Sequence, residues 1–208
     1  MKTIVCFGDS NTWGSDPATG ERFAPDRRWT GVLQSRLGAG CRVIEEGLNG
    51  RMTTVDDPIY PGKNGADYLL PCLESHKPLD LVTIMLGTND LKARLGRSAS
   101  DIAESAAFLA GMARRSGAGP DGGLPKVLLI SPPPVTTLSD LAEMFTGARE
   151  KSLRFAEHYR VYAKWSNAEF FDAGSIVASS DLDGIHWEGS AHAAFGRALA
   201  DEVERLLA

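Results

Sequence analysis

Cysteine and histidine are scarce in this sequence of 208 residues, which contains three cysteines and four histidines. The cysteines (Cys6, Cys41 and Cys72) form no C-x-x-C pair, and their number is odd. Cys6 and Cys41 lie in apolar, strand-like runs, where buried free thiols are expected. The histidines show no spacing typical of a zinc site. The sequence therefore predicts free thiols, no metal site and no cofactor.

Runs of positive charge are also absent, since no lysine or arginine cluster is longer than pairs such as Arg27-Arg28. The formal net charge is −5 and the pI is about 5.4, which argues against nucleic-acid binding. No apolar stretch is long enough to cross a membrane. The first predicted strand begins almost at Met1, which leaves no room for a signal peptide. We therefore expect a cytoplasmic protein without a membrane partner.

The composition is that of a globular protein, with 43% hydrophobic and 24% charged residues. A length of 208 residues suits one α/β domain with a sizeable core. The sequence contains no internal repeat and no linker that would divide it. We therefore expect a single domain over residues 1–208.

Strand-like runs alternate with helical patterns along the chain. Strands are predicted at Thr3–Phe7, Cys41–Glu45, Leu79–Leu86, Lys126–Ile130 and Glu169–Asp172. Helical patterns cover residues 27–38, 65–76 (broken by Pro71), 98–117, 147–166 and 190–208. This alternation predicts an α/β fold with a parallel sheet of about five strands and helices on both faces.

Two loops between these elements have sequences that suggest a binding site. Residues 116–125 contain a formal G-x-G-x-x-G match. The match follows a helix and precedes a strand, which is the reverse of the dinucleotide-binding order, so a flexible connector is expected. Pro132–Pro134 follow a predicted buried strand, and they would stiffen a loop that could form a wall of a binding site.

Polar motifs follow four of the five predicted strands. They are Gly8-Asp9-Ser10, "GLNGR" at 47–51, "GTND" at 87–90 and "DGIH" at 183–186. Each motif alone is more typical of a turn or a helix cap, and Asp9 could simply cap a helix. However, the carboxyl ends of parallel strands meet at one edge of a sheet. The four motifs together therefore predict one site.

The residue types in this site suit acyl transfer. Ser10 can act as nucleophile, His186 as its base, and Asp183 can orient the imidazole. The backbone N–H groups of Ser10 and Gly50 and the side-chain amide of Asn89 can form an oxyanion hole. Candidate substrate contacts flank the motifs, although core packing explains the aromatic ones equally well: Asn11, Trp13, Phe145, Ile185 and Trp187.

This set of motifs resembles the SGNH (GDSL-type) hydrolase family, and more specifically its small bacterial arylesterase/acyltransferase branch. The resemblance extends over nearly the whole chain through stretches such as "RFAPDRRWTGVL" and "KVLLISPPP". It implies a flavodoxin-like three-layer α/β/α fold and metal-independent ester hydrolysis. By position it assigns Ser10, Asp183 and His186 to the triad, and Ser10, Gly50 and Asn89 to the oxyanion hole.

Two positions depart from the family pattern. Asn11 stands where the GDSL motif has leucine, and Asn49-Gly50 stand where that branch often has Ser-Ala. The first change is expected to alter pocket polarity more than mechanism. The second keeps the backbone donor but gives the loop more conformational freedom.

The leading interpretation is a serine esterase for small acetyl or aryl esters that could also transfer the acyl group to an alcohol. Deacetylation of sugars or cleavage of a thioester on the same site are alternatives. A catalytically silent, flavodoxin-like binding protein is the alternative outside enzymes. We also expect a homo-oligomer, the common arrangement of soluble assemblies.

Overall fold

A five-stranded parallel sheet forms the centre of the computed structural model, which describes all 208 residues. Its strands are β1 (Lys2–Gly8), β2 (Cys41–Gly47), β3 (Leu81–Met85), β4 (Lys126–Ser131) and β5 (Glu169–Asp172). The spatial order is β2-β1-β3-β4-β5, and β1 pairs with both β2 and β3. This is the flavodoxin-like order, in which ligands bind where the strand order reverses, here at β1 and β3.

Seven helices accompany the sheet: α1 (Ser10–Trp13), α2 (Trp29–Leu37), α3 (Gly65–His76), α4 (Ala99–Arg114), α5 (Ala148–Ser152), α6 (Phe155–Ser166) and α7 (Gly189–Leu207). Helices α3, α4 and α6 cover one face, and α2 and α7 cover the other. Side chains of β1 alternate between these faces, with Val5 and Phe7 in one core cluster and Ile4 and Cys6 in the other. The predicted three-layer α/β/α class is confirmed.

Two helix predictions were wrong. The pattern over residues 147–166 forms two helices, because the chain bends at Leu153 and Arg154. Ser152, the last residue of α5, is buried and accepts a hydrogen bond from the Val135 N–H, which anchors α5 to the loop after β4. Pro71, in contrast, does not break α3, whose neighbouring Leu69 and Leu73 are fully buried in the core.

The remaining connections include 3₁₀ turns, of which Asn89–Leu91 begins four residues after the end of β3. Residues 115–125 connect α4 to β4 and contain another such turn, Pro120–Gly122. Among the helices, none is long and apolar enough to cross a membrane.

Candidate active site

Ser10 is placed by the tight turn that ends β1. A Cβ atom on Gly8 would lie 2.0 Å from the Thr12 hydroxyl, so only glycine allows α1 to fold back at this point. The Asp9 carboxylate accepts a hydrogen bond from the Asn11 N–H and caps α1. Ser10 is thereby the first residue of a helix, at the carboxyl edge of the sheet.

His186 is placed by a second turn, between β5 and α7. Gly184 has a φ of +83°, and a Cβ atom there would lie 2.7 Å from the Thr137 carbonyl oxygen. Backbone bonds from Thr136 N–H to the Gly184 carbonyl and from Gly184 N–H to the Ser180 carbonyl hold the turn. The turn therefore requires glycine at position 184. It directs the imidazole of His186 toward α1.

Three side chains form a continuous chain of hydrogen bonds. His186 Nε2 lies 2.9 Å from Ser10 Oγ, and His186 Nδ1 lies 2.6 Å from Asp183 Oδ2. The other Asp183 oxygen accepts hydrogen bonds from the backbone N–H groups of Ile185 and His186 at 2.9 and 2.8 Å. The structure thus brings together Ser10, His186 and Asp183, which lie up to 176 residues apart in sequence.

The predicted oxyanion donors face the same cavity as Ser10. The N–H groups of Ser10 and Gly50 make no hydrogen bond within the protein. Asn89 Nδ2 donates one hydrogen bond to the Arg51 carbonyl at 3.2 Å, which leaves its second N–H for a ligand. Three donors that a ligand could use therefore belong to residues that line one cavity.

A buried ion pair keeps these donors together. The Asp90 side chain has no exposed surface and pairs with Arg97 at 2.8 Å. Its two oxygens also accept hydrogen bonds from the Thr53 N–H (3.0 Å) and hydroxyl (2.5 Å). Since Thr53 lies in the loop that carries Gly50, Asp90 fixes that loop against the turn that carries Asn89.

The cavity above Ser10 has a volume of about 230 Å³. Its apolar wall consists of Leu141, Met144, Phe145 and Ile185, and its remaining lining residues are Ser10, Ser15, Asn49, Gly50, Asn89, Lys92 and His186. Of the five predicted substrate contacts, Phe145 and Ile185 therefore line the cavity.

The other three predicted contacts do not line the cavity. Trp187 is fully buried and packs against Phe195 of α7 in the core, so it was wrongly predicted as a pocket residue. Trp13 lies under the Arg22 guanidinium, 4.9 Å from its carbon atom. Asn11 is buried behind the site, where its Nδ2 donates to the Ile185 carbonyl at 3.2 Å, so it affects the histidine turn and not the polarity of the pocket.

Pro132–Pro134, predicted as a stiff wall, are also absent from the cavity lining. The later part of the same loop supplies the wall instead. Leu141, Met144 and Phe145 have a helical spacing that could have been recognised in the sequence. The position of Lys92 in the wall could not be recognised from the sequence, because its partner Asp57 lies 35 residues away.

Lys92 lines the cavity and shares the Asp57 carboxylate with Arg94. Asp57 accepts from Lys92 Nζ at 3.0 Å and from Arg94 Nη2 at 2.6 Å. Burial would raise the pKa of Asp57, but Arg94, the Ile59 N–H and Lys92 outweigh it and hold that pKa well below its usual range. Since one carboxylate faces two cations, this cluster keeps one net positive charge beside the cavity.

The carboxyl groups near Ser10 differ in pKa. Burial raises the pKa of Asp9 to about 6, against a partial opposing effect of its hydrogen bond from Asn11. Burial would also raise the pKa of Asp183, but hydrogen bonds from His186 and from two backbone N–H groups lower it below its ordinary value. Asp183 therefore stays charged beside the imidazole at neutral pH and also at mildly acidic pH, where Asp9 takes up a proton.

Solved structures similar to this chain include an aryl esterase from M. smegmatis, with 46% identity, complete coverage of both chains and a TM-score of 0.95. A carbohydrate acetylesterase from Sinorhizobium meliloti has 40% identity and a TM-score of 0.95, with 99% of this chain and 100% of that chain covered. A member of the lipolytic G-D-S-L family from Veillonella parvula is 17% identical with a TM-score of 0.68 over 99% of this chain and 100% of that one, and shows the shared fold alone.

No match was found among curated proteins. The profile of the GDSL-like lipase/acylhydrolase family matches residues 6–194, which include all four motifs at the strand ends. The family resemblance predicted from those motifs is thus confirmed, and this chain belongs to the GDSL-like lipase/acylhydrolase family.

Proposed function

We propose that this protein is a serine esterase that hydrolyses small carboxylic esters through an acyl-enzyme on Ser10. The observation that carries the proposal is the unbroken hydrogen-bond chain from Ser10 Oγ through His186 to Asp183, beside three donors that a ligand can use. The similarity to an aryl esterase and to a carbohydrate acetylesterase supports the same reaction class.

In the proposed mechanism Ser10 Oγ attacks the ester carbonyl carbon while His186 Nε2 takes its proton. The carbonyl oxygen becomes an oxyanion that accepts hydrogen bonds from the N–H groups of Ser10 and Gly50 and from Asn89. The intermediate collapses, and His186 returns the proton to the leaving alcohol. Water then attacks the acyl-enzyme by the same route and releases the acid. Asp183 holds the imidazole in the required tautomer throughout.

The cavity supports small substrates. Its volume of about 230 Å³ is below the ~300–1,000 Å³ typical of sites for drug-sized ligands. Leu141, Met144 and Phe145 close one side with apolar surface. A short acyl group and an aryl or small alkyl alcohol fit this space, whereas a long acyl chain would have to extend into solvent.

The experiment measures turnover of p-nitrophenyl esters from acetate to octanoate by the wild type, Ser10→Ala and Ser15→Ala. We expect the acetate to be preferred, and Ser10→Ala to lose roughly three to six orders of magnitude because no acyl-enzyme can form. Ser15 lines the same cavity, but the hydroxyl bonded to His186 Nε2 is that of Ser10, so Ser15→Ala is the matched control and stays within about ten-fold of the wild type.

An organophosphonate probe should label the wild type and Ser15→Ala, but not Ser10→Ala. Turnover by Ser10→Ala within ten-fold of the wild type would refute the assignment of the nucleophile. Absence of both turnover and labelling in the wild type would favour the silent binding protein. Acetylated sugars and an acyl thioester, assayed in parallel, distinguish the alternative substrates.

We propose in addition that the acyl-enzyme reacts with small alcohols. Water at about 55 M outcompetes an alcohol unless the site binds the alcohol well, and the apolar wall at Leu141, Met144, Phe145 and Ile185 supports such binding. Supplying a vinyl ester with benzyl alcohol in aqueous buffer should give benzyl ester together with substantial free acid. If only free acid appears at every alcohol concentration, transfer is refuted and hydrolysis is unaffected.

A further inference from the structure

A second group of reactive side chains lies apart from the serine site, between β2 and α3. Glu46 is the penultimate residue of β2, and Cys72 and His76 lie on α3. Residues four apart on a helix share a face, so the thiol and the imidazole point the same way. One ligand atom of each of the three side chains lies within 4.8 Å of the others. None of the three lines the cavity above Ser10.

Each side chain is oriented by its surroundings. His76 Nε2 lies 2.6 Å from Glu46 Oε1, and the Tyr68 hydroxyl donates to Glu46 Oε2 at 3.4 Å. Cys72 is 1% exposed, whereas the side chains of Glu46 and His76 keep 18% and 25% of their surface in contact with solvent. The thiol is therefore buried, whereas the carboxylate and the imidazole beside it reach the surface, which gives an ion a path of entry.

We propose that Glu46, Cys72 and His76 bind a zinc ion. A carboxylate oxygen, a thiolate and an imidazole nitrogen are the three ligand types that zinc takes in proteins, and water can complete a tetrahedron. Magnesium and calcium prefer sets made only of oxygen ligands, so the sulfur and nitrogen select against them. The hydrogen bond that now joins His76 to Glu46 would be replaced by two bonds to the metal.

The charges around the site are compatible with a divalent cation. Zinc binds a cysteine as the thiolate, so the Cys72 proton is released when the ion binds. The bound ion, the thiolate and the carboxylate then sum to zero charge.

Arg51 is the cation that faces the cluster, and it does not occupy the Glu46 carboxylate. Its Nη1 donates to the backbone carbonyls of Gly8 and Glu46 at 2.9 and 2.5 Å. Its guanidinium carbon also lies 4.1 Å from the centre of the Phe7 ring. Since these contacts hold Arg51 on the backbone, its guanidinium does not compete with a metal for the Glu46 side chain.

The test titrates the untagged full-length protein, freed of metal by a chelator, with Co²⁺ and follows the thiolate-to-cobalt charge-transfer absorption. We expect one equivalent of Co²⁺ to produce the band and Zn²⁺ to abolish it by displacing the cobalt, since zinc binds such sites more tightly. Because the three ligands come together only in the folded state, zinc should bind that state more tightly and raise the midpoint of thermal unfolding. Neither readout depends on the ester reaction.

Three variants complete the test. Cys72→Ser should remove the band. His76→Gln should weaken cobalt binding by roughly ten-fold or more, because even the loss of a group that only hydrogen-bonds to a metal ligand has an effect of that size. Cys41→Ser is the control, because Cys41 lies at the far end of β2 and should leave the band unchanged. No band at one equivalent, or a band that persists in Cys72→Ser, would overturn the proposal. If Cys72→Ser does not fold, the test depends on His76→Gln, which changes a residue at the end of α3. An unchanged affinity of this variant for Co²⁺ would then overturn the proposal.

Discussion

At the scale of single residues, Asn89 offers the most informative test of the proposed mechanism. Its amide is held by the Arg51 carbonyl and directs a second N–H into the cavity. An oxyanion accepts this hydrogen bond more strongly than a neutral carbonyl does, so the bond acts mainly in the transition state. We expect Asn89→Ala to lower kcat by about 10²–10³ and to leave KM nearly unchanged.

Steady-state kinetics on p-nitrophenyl acetate measure the effect of Asn89→Ala. Asn49→Ala is the matched control, because Asn49 lines the same cavity but is not one of the proposed oxyanion donors. A change confined to KM would mean that Asn89 positions the substrate and does not stabilise the oxyanion.

At the scale of elements, the turn between β5 and α7 controls the alignment of the imidazole. Alanine at position 184 would meet the Thr137 carbonyl at 2.7 Å in a backbone conformation of φ +83°. We expect Gly184→Ala to lower the free energy of unfolding by about 1–3 kcal/mol. We also expect a lower kcat, because His186 follows two residues later and shifts with the turn.

Urea unfolding and kcat, measured on the same samples, test this prediction. Gly96→Ala is the control, since Gly96 also has a positive φ of +62°, but a methyl group added there would have no atom within 4 Å. Gly96→Ala should therefore incur the backbone strain alone and keep its activity. Equal losses of stability in the two variants, with kcat unchanged in both, would contradict the role of the turn.

At the scale of the whole molecule, two buried groups give opposite contributions to the pH dependence of stability. Burial raises the pKa of Asp9 from 3.8 to about 6, so the folded state binds this proton more tightly and stability falls as pH rises between those values. Burial lowers the pKa of His192 from 6.5 to about 4, so the unfolded state binds more protons there and stability rises with pH. Between about pH 4 and 6 the two contributions cancel.

Replacing one of the two groups should leave the pH dependence of stability that the other group causes. An asparagine at position 9 can still cap α1. We expect the free energy of unfolding of Asp9→Asn, relative to that of the wild type, to increase by about 1.4 kcal/mol for each pH unit between pH 4 and 6. His192→Gln should lose a similar amount over the same window. Urea unfolding at several pH values between 4 and 6 gives both slopes, and slopes that match the wild type would contradict the assigned protonation states.

The expected single domain, homo-oligomer and cytoplasmic location stay predictions at this scale. The fold class itself followed from the sequence, because apolar strand patterns alternate with helical ones and a parallel sheet satisfies that order. The four motifs also predicted which residues meet, since the carboxyl ends of parallel strands lie at one edge. Ser10 and His186 are 2.9 Å apart for that reason, although 176 residues separate them.

Other features depended on packing between residues that no sequence spacing relates. Trp187 and Phe145 were both candidates for the pocket, but packing buried the first in the core and placed the second in the cavity wall. The pair of Lys92 with Asp57 and the cluster of Glu46 with Cys72 and His76 join segments 26 to 35 residues apart. Local patterns record the periodicity of an element and the end of a strand, whereas the side chains that meet across two elements are decided by how those elements pack.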